Sequence, residues 1–339
     1  MRALMIFIMM LMCLVPVFAE RVTVLSEVFN PGDIQVGDKY IYVVQEAEVF
    51  LYSIDDYNLV RKFGKRGEGP REFILSDDNM VFLSVQPDYL LVNSVKRMTY
   101  FSVDGRYLRE RHNSAGQWME PLGSNFVGIK RVYDPDGTRY RKLTLFNEKL
   151  ELVKTVYQEF DGIQPRLKII EAVTWPTSNI YRIYDGRIFV ADKEKTIHVY
   201  DRDGKPLYDI DLPFPRIKVD SAVREKFLRF YREEEQYWRL RWDRLKSWFR
   251  LPDALPVIST YQVNDDCIYI LTHQKIESKD EILVLDLKGN LKRRAVVSLN
   301  KFDQSIFNIF NFDISGGRLY QYAENPDTEE YELHVFDLR

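Results

Sequence analysis

Short apolar segments of five residues recur along the chain, and each ends on Ser, Asn or Asp. Every segment has an apolar residue, any residue, a second apolar residue, an aromatic residue or Leu, and then the polar residue. The segments lie at 49–53, 98–102, 143–147, 197–201, 282–286 and 333–337. This alternation over so few residues is typical of a half-buried β-strand. The segments begin 49, 45, 54, 85 and 51 residues apart, which indicates six similar units, with an insertion in the longest spacing.

A second strand-like run precedes each segment, and a tight turn follows several of them. The preceding runs lie at 40–44, 89–92, 126–129, 187–190, 268–271 and 319–322. Asp104-Gly105 and Asp203-Gly204 are typical hairpin turns, because glycine adopts the positive φ that these turns need. Strand, strand, turn and strand at a period of about fifty residues predict an all-β fold, a six-bladed β-propeller.

The two ends of the chain predict how the propeller closes. The last unit is followed only by Leu338 and Arg339, so it has no fourth strand after its third. Residues 21–29 are β-like and belong to no unit, and we expect them to supply the outer strand of the last blade. The alternative fold is a pair of stacked β-sandwiches, which gives no reason for six similar units.

The first nineteen residues are typical of a secretory signal peptide. Arg2 precedes an unbroken apolar run, Pro16 breaks it, and Val17 and Ala19 are the small residues of a cleavage site. We expect residues 1–19 to be removed and residues 20–339 to fold in the periplasm or outside the cell. A membrane anchor or a lipoprotein is the alternative, but 4–18 is short for a stable membrane span.

The composition is that of a globular protein whose net charge is close to zero. Hydrophobic residues make up 45%, and 48 Lys and Arg against 51 Asp and Glu give a net charge of −3. A chain so close to neutrality has no field that would gather nucleic acid, so we expect no nucleic-acid partner. The 21 Tyr and 21 Phe favour β-structure.

Residues 219–250 differ from the rest in pattern and charge. Apolar positions step by three or four residues, which predicts a helical insertion between blades four and five that begins near Asp220. The segment holds three of the five Trp, and nine Lys and Arg against six Asp and Glu. Three interpretations stay open: the stripe fills the mouth of the central channel, covers a ligand, or docks a partner. Its candidate binding residues are Trp238, Trp242, Trp248 and Arg241.

The segments at 98–105 and 197–204 resemble the strand-and-turn pattern of NHL-like six-bladed β-propellers. The run 63–73, Phe-Gly-Lys-Arg-Gly-Glu-Gly-Pro-Arg-Glu-Phe, is similar to the loop after the first blade in exported bacterial propellers. Those proteins usually carry Gly where this chain has Arg71. The resemblance covers nearly the whole mature chain, and the wider superfamily includes binding scaffolds, lyases and lactonases. Lys65 and Arg66 of this loop are candidate ligand-binding residues.

No catalytic constellation is recognisable in the sequence, so catalytic residues stay unknown. The glycine-rich loop lacks the Gly-Lys-Ser/Thr ending of a P-loop, and no Gly-x-Ser-x-Gly occurs. Resemblance to lactonase-type propellers implies a calcium ion in the central channel, held by oxygen ligands. We expect no cofactor, with calcium as the alternative. Its candidate ligands near the predicted inner-strand ends are Asn79, Glu120, Asn264, Asn311 and Asp313.

These patterns together favour an exported, non-catalytic binding scaffold. The binding face would carry loop 64–73 and helix 219–250, and the partner would be a protein or a small ligand. The alternative is a calcium-dependent hydrolase, lactonase or lyase with its site in the central channel.

Overall fold

The computed structural model describes residues 14–16, 19–69, 71–75, 81–113, 118–171, 180–234, 241–300 and 311–339. Within these ranges the protein is all-β, as the alternating apolar pattern predicts. Six sheets each contain four antiparallel strands. In five of them these four strands follow one another along the chain, and one of these five also has a short fifth strand from near the amino end. In the remaining sheet one of the four strands comes from near the amino end.

Two strands near the amino end join sheets whose other strands come much later. They are β1 (Leu14–Pro16) and β2 (Ala19–Val24). The first sheet contains β3 (Asp33–Val36), β4 (Tyr40–Gln45), β5 (Glu48–Ser53) and β6 (Leu59–Phe63). The second contains β7 (Phe82–Val85), β8 (Tyr89–Ser94), β9 (Arg97–Ser102) and β10 (Tyr107–His112). The third contains β11 (Met119–Leu122), β12 (Asn125–Tyr133), β13 (Arg139–Phe146) and β14 (Leu152–Phe160).

Two short strands and a 3-10 turn lead into the second half of the chain. They are β15 (Ile163–Gln164), the turn Pro165–Leu167 and β16 (Ile169–Glu171). The fourth sheet contains β17 (Tyr181–Tyr184), β18 (Arg187–Ala191), β19 (Thr196–Tyr200) and β20 (Pro206–Asp211). A helical segment follows, with α1 (Ser221–Arg229), a π-helical turn (Phe230–Glu234), α2 (Trp242–Leu245), a 3-10 turn (Lys246–Trp248) and then β21 (Phe249–Arg250).

The last two sheets complete the chain. The fifth contains β22 (Ile258–Asn264), β23 (Cys267–Ile276), β24 (Lys279–Asp286) and β25 (Leu291–Val297). The sixth contains β26 (Phe312–Ser315), β27 (Arg318–Glu324) and β28 (Tyr331–Asp337). Its fourth strand is β2, which pairs antiparallel with β28. The strand β1 pairs in parallel with the outer strand β25 of the fifth sheet.

The strand β2 is shorter than the β-like run 21–29. It ends at Val24, and the backbone amide of Leu25 makes a last hydrogen bond to the carbonyl of Tyr331 at 2.8 Å. Glu27 then adopts a φ of 66°, which turns the chain away from the strand path. The extended conformation therefore ends before Glu27 and does not continue to residue 29.

Hydrogen bonds link each sheet to the next and the sixth back to the first. Each sheet is linked to the next one, and the sixth is linked to the first, so the links form a closed circle. The links are Gln35 with Val85 (3.1 Å), Asn93 with Met119 (3.0 Å), Tyr181 with Val127 (3.5 Å), Tyr261 with Phe189 (2.9 Å), Asn264 with Ile314 (2.9 Å) and Asp313 with Val36 (2.8 Å).

The apolar cores lie between neighbouring sheets. One cluster joins the sixth sheet to the first and contains buried Tyr52, Tyr322 and Leu333. Another joins the third, fourth and fifth sheets and contains Phe189 and Tyr261. Burying one large apolar side chain stabilises the fold by about 1.5–3 kcal/mol. Each sheet therefore depends on both of its neighbours.

The helix α1 begins where Asp220 caps its amino end. The Asp220 carboxylate accepts a hydrogen bond from the backbone amide of Val223 at 2.8 Å, which satisfies one of the unpaired amides of the first turn. Among the helices in the described ranges, none has the length and apolar character needed to cross a membrane.

Candidate functional site

Loop 64–73 is held by contacts from two charged side chains. The Glu72 carboxylate accepts a hydrogen bond from the backbone amide of Gly69 at 2.8 Å. Arg97, from the second sheet, donates to the carbonyls of Gly69 at 2.8 Å and Glu68 at 3.1 Å. Phe73 is fully buried at the end of the loop. These contacts tie the described residues of the loop to the second sheet.

Lys65 and Arg66 have different surroundings on this loop. The Lys65 ammonium group lies 2.7 Å from a Glu72 carboxylate oxygen, although 70% of the Lys65 side chain is exposed. The hydrogen bond from Lys65 is the main cause of the lowered pKa of Glu72. Arg66 is exposed, and its backbone bridges to Phe73. Lys65 thus helps to hold the loop, and Arg66 presents its charge to solvent.

Arg71 occupies a backbone conformation that favours glycine. Its φ is 64°, in the left-handed region where a side chain is strained. A glycine at this position would adopt the same conformation without strain. The Arg71 guanidinium lies 4.9 Å from the centre of the Tyr107 ring, a cation–π contact that offsets part of the strain.

The helical insertion 219–250 forms a small apolar core of its own with the segment 163–171. The strands β16 and β21 pair in parallel, with Ile170 opposite Phe249. The cluster is completed by other buried side chains, and these are Val219, Phe227, Tyr231 and Leu255. The aromatic stripe is therefore partly core, packed on the connection between the third and fourth sheets.

The candidate binding residues of the insertion lie at the edge of this core. Trp242 and Trp248 are half-buried and pack against the cluster, and the Trp242 ring lies 5.2 Å from the Phe249 ring. Arg241 is half-buried just before α2. Trp238 lies outside the described residues. Leu167, in the segment 163–171, is 59% exposed.

Loop 64–73 and the insertion occupy equivalent positions in the chain. Each connects the fourth strand of one sheet to the first strand of the next, β6 to β7 and β20 to β22. In a four-stranded antiparallel sheet, the fourth strand ends on the side where the first begins. Both connections therefore leave their sheets on the side where the first strands begin.

Carboxyl groups converge at the centre of the ring, around one arginine. Asp33, Glu120, Arg182 and Asp313 all lie on the first strands of their sheets and interact electrostatically. Burial, with a further effect of the Asp313 charge, raises the pKa of Asp33 to about 7. Burial also raises the pKa of Asp313 to about 6. Of these four residues, the sequence pattern pointed only to Glu120 and Asp313.

Arg182 is the residue that sequence reasoning missed. Its Nε donates to the side-chain oxygen of Gln262 at 2.7 Å, and its Nη1 donates to the carbonyl of Tyr181 at 2.8 Å. Burial raises the pKa of Glu120, while the Arg182 charge and a hydrogen bond from Tyr181 oppose this rise. The sequence did contain one sign of this role, because Arg182 is a charged residue inside the short strand-like run 180–184.

The candidate calcium ligands have partners of their own. The Asn264 amide donates to the carbonyl of Ile314 at 2.9 Å, and the Asn311 amide donates to the Tyr322 hydroxyl. Asp313 accepts from the backbone amides of Val36 and Ile314, both at 2.8 Å. Asn79 lies outside the described residues.

These contacts fit a calcium ion poorly. Arg182 already supplies positive charge among the carboxylates, and the side-chain oxygen of Asn264 accepts a hydrogen bond from the backbone amide of Asp265 at 2.9 Å. Among the described residues, no group of three or more His, Cys, Asp and Glu could hold a metal ion. The calcium set, which includes amides and Asn79, stays a prediction.

No family model matches the chain, and no curated protein matches it. Among solved structures it is similar to the Pan2 WD40 domain from Neurospora crassa, at 10% identity, a TM-score of 0.44, 94% of this chain and 95% of that chain. It is also similar to U3-55K, at 10% identity, a TM-score of 0.43, 92% of this chain and 98% of that one. For BamB from Moraxella catarrhalis the identity is 9%, the TM-score 0.33, and the coverage 90% of this chain and 71% of that one. At these identities and TM-scores, nothing about the function of those proteins is carried over to this chain.

Proposed function

We propose that the six sheets are the blades of a six-bladed β-propeller and that the protein is an exported, non-catalytic binding scaffold. The closed circle of contacts between sheets supports the blade arrangement. The pairing of β2 with β28 supports closure by the amino-terminal strand, because one blade then combines strands from distant parts of the chain. Closure of this kind removes an exposed edge.

The observation that carries the binding role is the separate core of the insertion. It leaves Trp242 and Trp248 half-buried at the edge of the cluster, where part of each indole stays accessible. Trp and Arg are the residues that most often dominate the energy of protein interfaces. The insertion also carries nine Lys and Arg against six Asp and Glu. We therefore propose a protein partner with an acidic surface.

The proposed binding surface combines the insertion and loop 64–73. Trp238, Trp242, Trp248 and Arg241 would provide the apolar and basic contacts, and Lys65 and Arg66 would add charge at the loop. Both connections leave their sheets on the same side, which supports a single working face.

Export is proposed from the signal-like residues 1–19. Cleavage after residue 19 would remove β1 and Ala19 but leave residues 21–24 paired with β28. Sequencing the amino end of the secreted protein tests this.

The experiment measures how much partner protein three variants capture from a periplasmic or extracellular extract. The variants are Trp248→Ala, Arg241→Glu and Arg187→Glu. Trp248→Ala and Arg241→Glu are expected to lower capture of the same partner by tenfold or more, about 1.4 kcal/mol or more of binding. Arg187→Glu is the control, because Arg187 lies at the turn between the first two strands of the fourth sheet. Equal capture by all three forms would remove the insertion from the binding surface.

A calcium-dependent hydrolase, lactonase or lyase is the second candidate. The observation that favours an enzyme, though not the calcium ion itself, is the raised pKa of Asp33, Glu120 and Asp313 around Arg182, since perturbed carboxyl groups are common at functional sites. Metal analysis of the purified protein, with thermal unfolding before and after chelation, tests it. One calcium per chain and a large loss of stability on chelation would favour the enzyme.

A further inference from the structure

A cavity of about 110 Å³ lies at the base of the helical insertion, against the fifth sheet. Its apolar wall comes from the two connections that lead into and out of the insertion. Its polar wall comes from β23, β24 and β25. The lining residues are Phe214, Pro215, Ile217, Pro256 and Val257 on the first wall, and Thr272, His273, Gln274, Glu281 and Arg294 on the second.

Two nitrogen atoms of the polar wall are buried without a hydrogen-bond partner. They are Nε2 of His273 and Nε of Arg294. A buried donor without a partner is costly for a fold, and such groups are few in native proteins. Both residues line the same cavity. The two nitrogen atoms are themselves shielded from it, so a group bound there reaches both once the side chains shift.

An irregularity in β23 places His273 on this wall. Leu271 pairs with Ile282, but the next pair is Lys275 with Asp280, so the register shifts between them. A bulge of this kind redirects side chains and occurs often beside functional sites. Thr272 and Gln274, which flank His273, line the cavity as well.

The polar wall carries no net charge. The Glu281 carboxylate accepts hydrogen bonds from Thr272 and from Nη1 of Arg294, both at 2.9 Å, so its charge is balanced and both oxygens are occupied. Burial, with a smaller effect of Lys275, lowers the pKa of His273 to about 4, so its ring is neutral near pH 7. An anion would place an unbalanced charge beside Glu281.

We propose that this cavity binds a small neutral molecule with an apolar body and one oxygen that accepts hydrogen bonds from Arg294 Nε and from His273 Nε2, the His273 ring taking the tautomer with its proton on Nε2. The apolar body would lie against Phe214, Ile217 and Val257. A water molecule needs about 10–15 Å³ of the same kind of volume. The cavity of about 110 Å³ therefore has room for a molecule of about six non-hydrogen atoms.

The test uses isobutyramide and isobutyrate, which have nearly the same shape but differ in charge. Ligand-detected NMR measures their binding to the full-length protein, and the ¹⁵N shift of the His273 ring reports on Nε2. Isobutyramide is expected to bind with millimolar affinity and to move the His273 signal. His273→Phe is expected to weaken this binding by about tenfold, because one of the two donors is lost.

The control is His112→Phe, since His112 is exposed in the second sheet and lies outside the cavity. This variant should bind isobutyramide like the unchanged protein. Ile217→Phe should weaken binding by filling the apolar side. If a variant fails to fold, the His273 signal of the unchanged protein decides the matter.

Three results would overturn the proposal. The first is no binding of isobutyramide at about 50 mM, well above the affinity expected for so small a ligand. The second is tighter binding of isobutyrate, which would mean that the cavity takes an anion. The third is binding of isobutyramide that does not move the His273 signal.

Discussion

Arg182 donates a hydrogen bond from Nε to the side-chain oxygen of Gln262 at 2.7 Å, and this bond ties the first strand of the fourth sheet to that of the fifth. The charge of the same guanidinium lowers the pKa of Asp33, Glu120 and Asp313 against the effect of burial. One side chain therefore joins two sheets and balances negative charge at the centre of the ring.

Replacing Arg182 by Gln should destabilise the protein by about 1–3 kcal/mol, because half-buried carboxylates lose a compensating charge and Gln262 loses its hydrogen-bond donor. Urea unfolding followed by circular dichroism measures this change. Arg187→Gln is the matched control, since Arg187 lies on the next strand, is more exposed, and makes only a 3.4 Å ion pair with Asp185. We expect a loss below about 1 kcal/mol for the control. Similar losses for both variants would contradict the compensating role of Arg182.

The raised pKa of Asp33 makes stability depend on pH. The folded protein holds the Asp33 proton up to about pH 7, while the unfolded chain releases it near the ordinary value of 3.8. The contribution of this group is therefore present in full below the ordinary value and is lost as the pH rises through 7. Between pH 5 and pH 8 the free energy of unfolding should fall by about 2 kcal/mol from this group.

Asp33→Asn isolates this effect from other titrating groups, such as His273. An Asn side chain stays neutral and can still accept the hydrogen bond that Gln35 donates to Asp33 at 3.2 Å. The difference in unfolding free energy between the variant and the unchanged protein should grow with pH. A difference that stays constant from pH 5 to pH 8 would mean that Asp33 is ionised throughout.

Gly67 should tolerate alanine less well than Gly123 does. Both have a positive φ, 156° and 63°, so each substitution introduces backbone strain of about 1 kcal/mol. A Cβ at Gly67 would also lie 2.1 Å from the Glu72 carboxylate, whereas a Cβ at Gly123 meets nothing within 4 Å. Displacing Glu72 removes its bonds to Lys65 and Gly69, so Gly67→Ala should cost about 1 kcal/mol more. Thermal unfolding of both variants measures the difference, and equal losses would show that Glu72 moves freely.

Arg71→Gly should change the free energy of unfolding by less than about 1 kcal/mol, because two effects oppose each other. Glycine relieves the strain at a φ of 64°, but the cation–π contact with Tyr107 is lost. In a Tyr107→Leu background that contact is already absent, so Arg71→Gly should there be clearly stabilising. The four proteins form a double-mutant cycle. A loss of stability in both backgrounds would show that Arg71 is not strained.

The strands of this fold follow closely from the sequence. The predicted run 40–44 coincides with all but the last residue of β4, and 187–190 coincides with all but the last residue of β18. Period-two alternation and Asp-Gly turns are local signals, so they need no knowledge of distant contacts. The pairing between strands far apart in sequence is not encoded in this local way.

The helical insertion and the centre of the ring were harder to predict. The apolar stripe continues through 219–250, but α1 ends at Arg229 and a π-helical turn follows, because the side chains pack on the segment 163–171. The place of Arg182 among three carboxyl groups depends on first strands that lie far apart along the chain. The periodicity of a sequence carries no information about contacts between segments so far apart.

The pairing of β2 with β28 has a consequence for the order of folding. Val22 lies opposite His334, about 310 residues further along the chain. Closing so long a loop is entropically unfavourable and slow, so this contact should form late, after the local hairpins. During synthesis the sixth sheet stays incomplete until the last strand has left the ribosome. The ring therefore closes only as a final event, and until then the nascent chain holds separate sheets whose outermost partner has not yet been made.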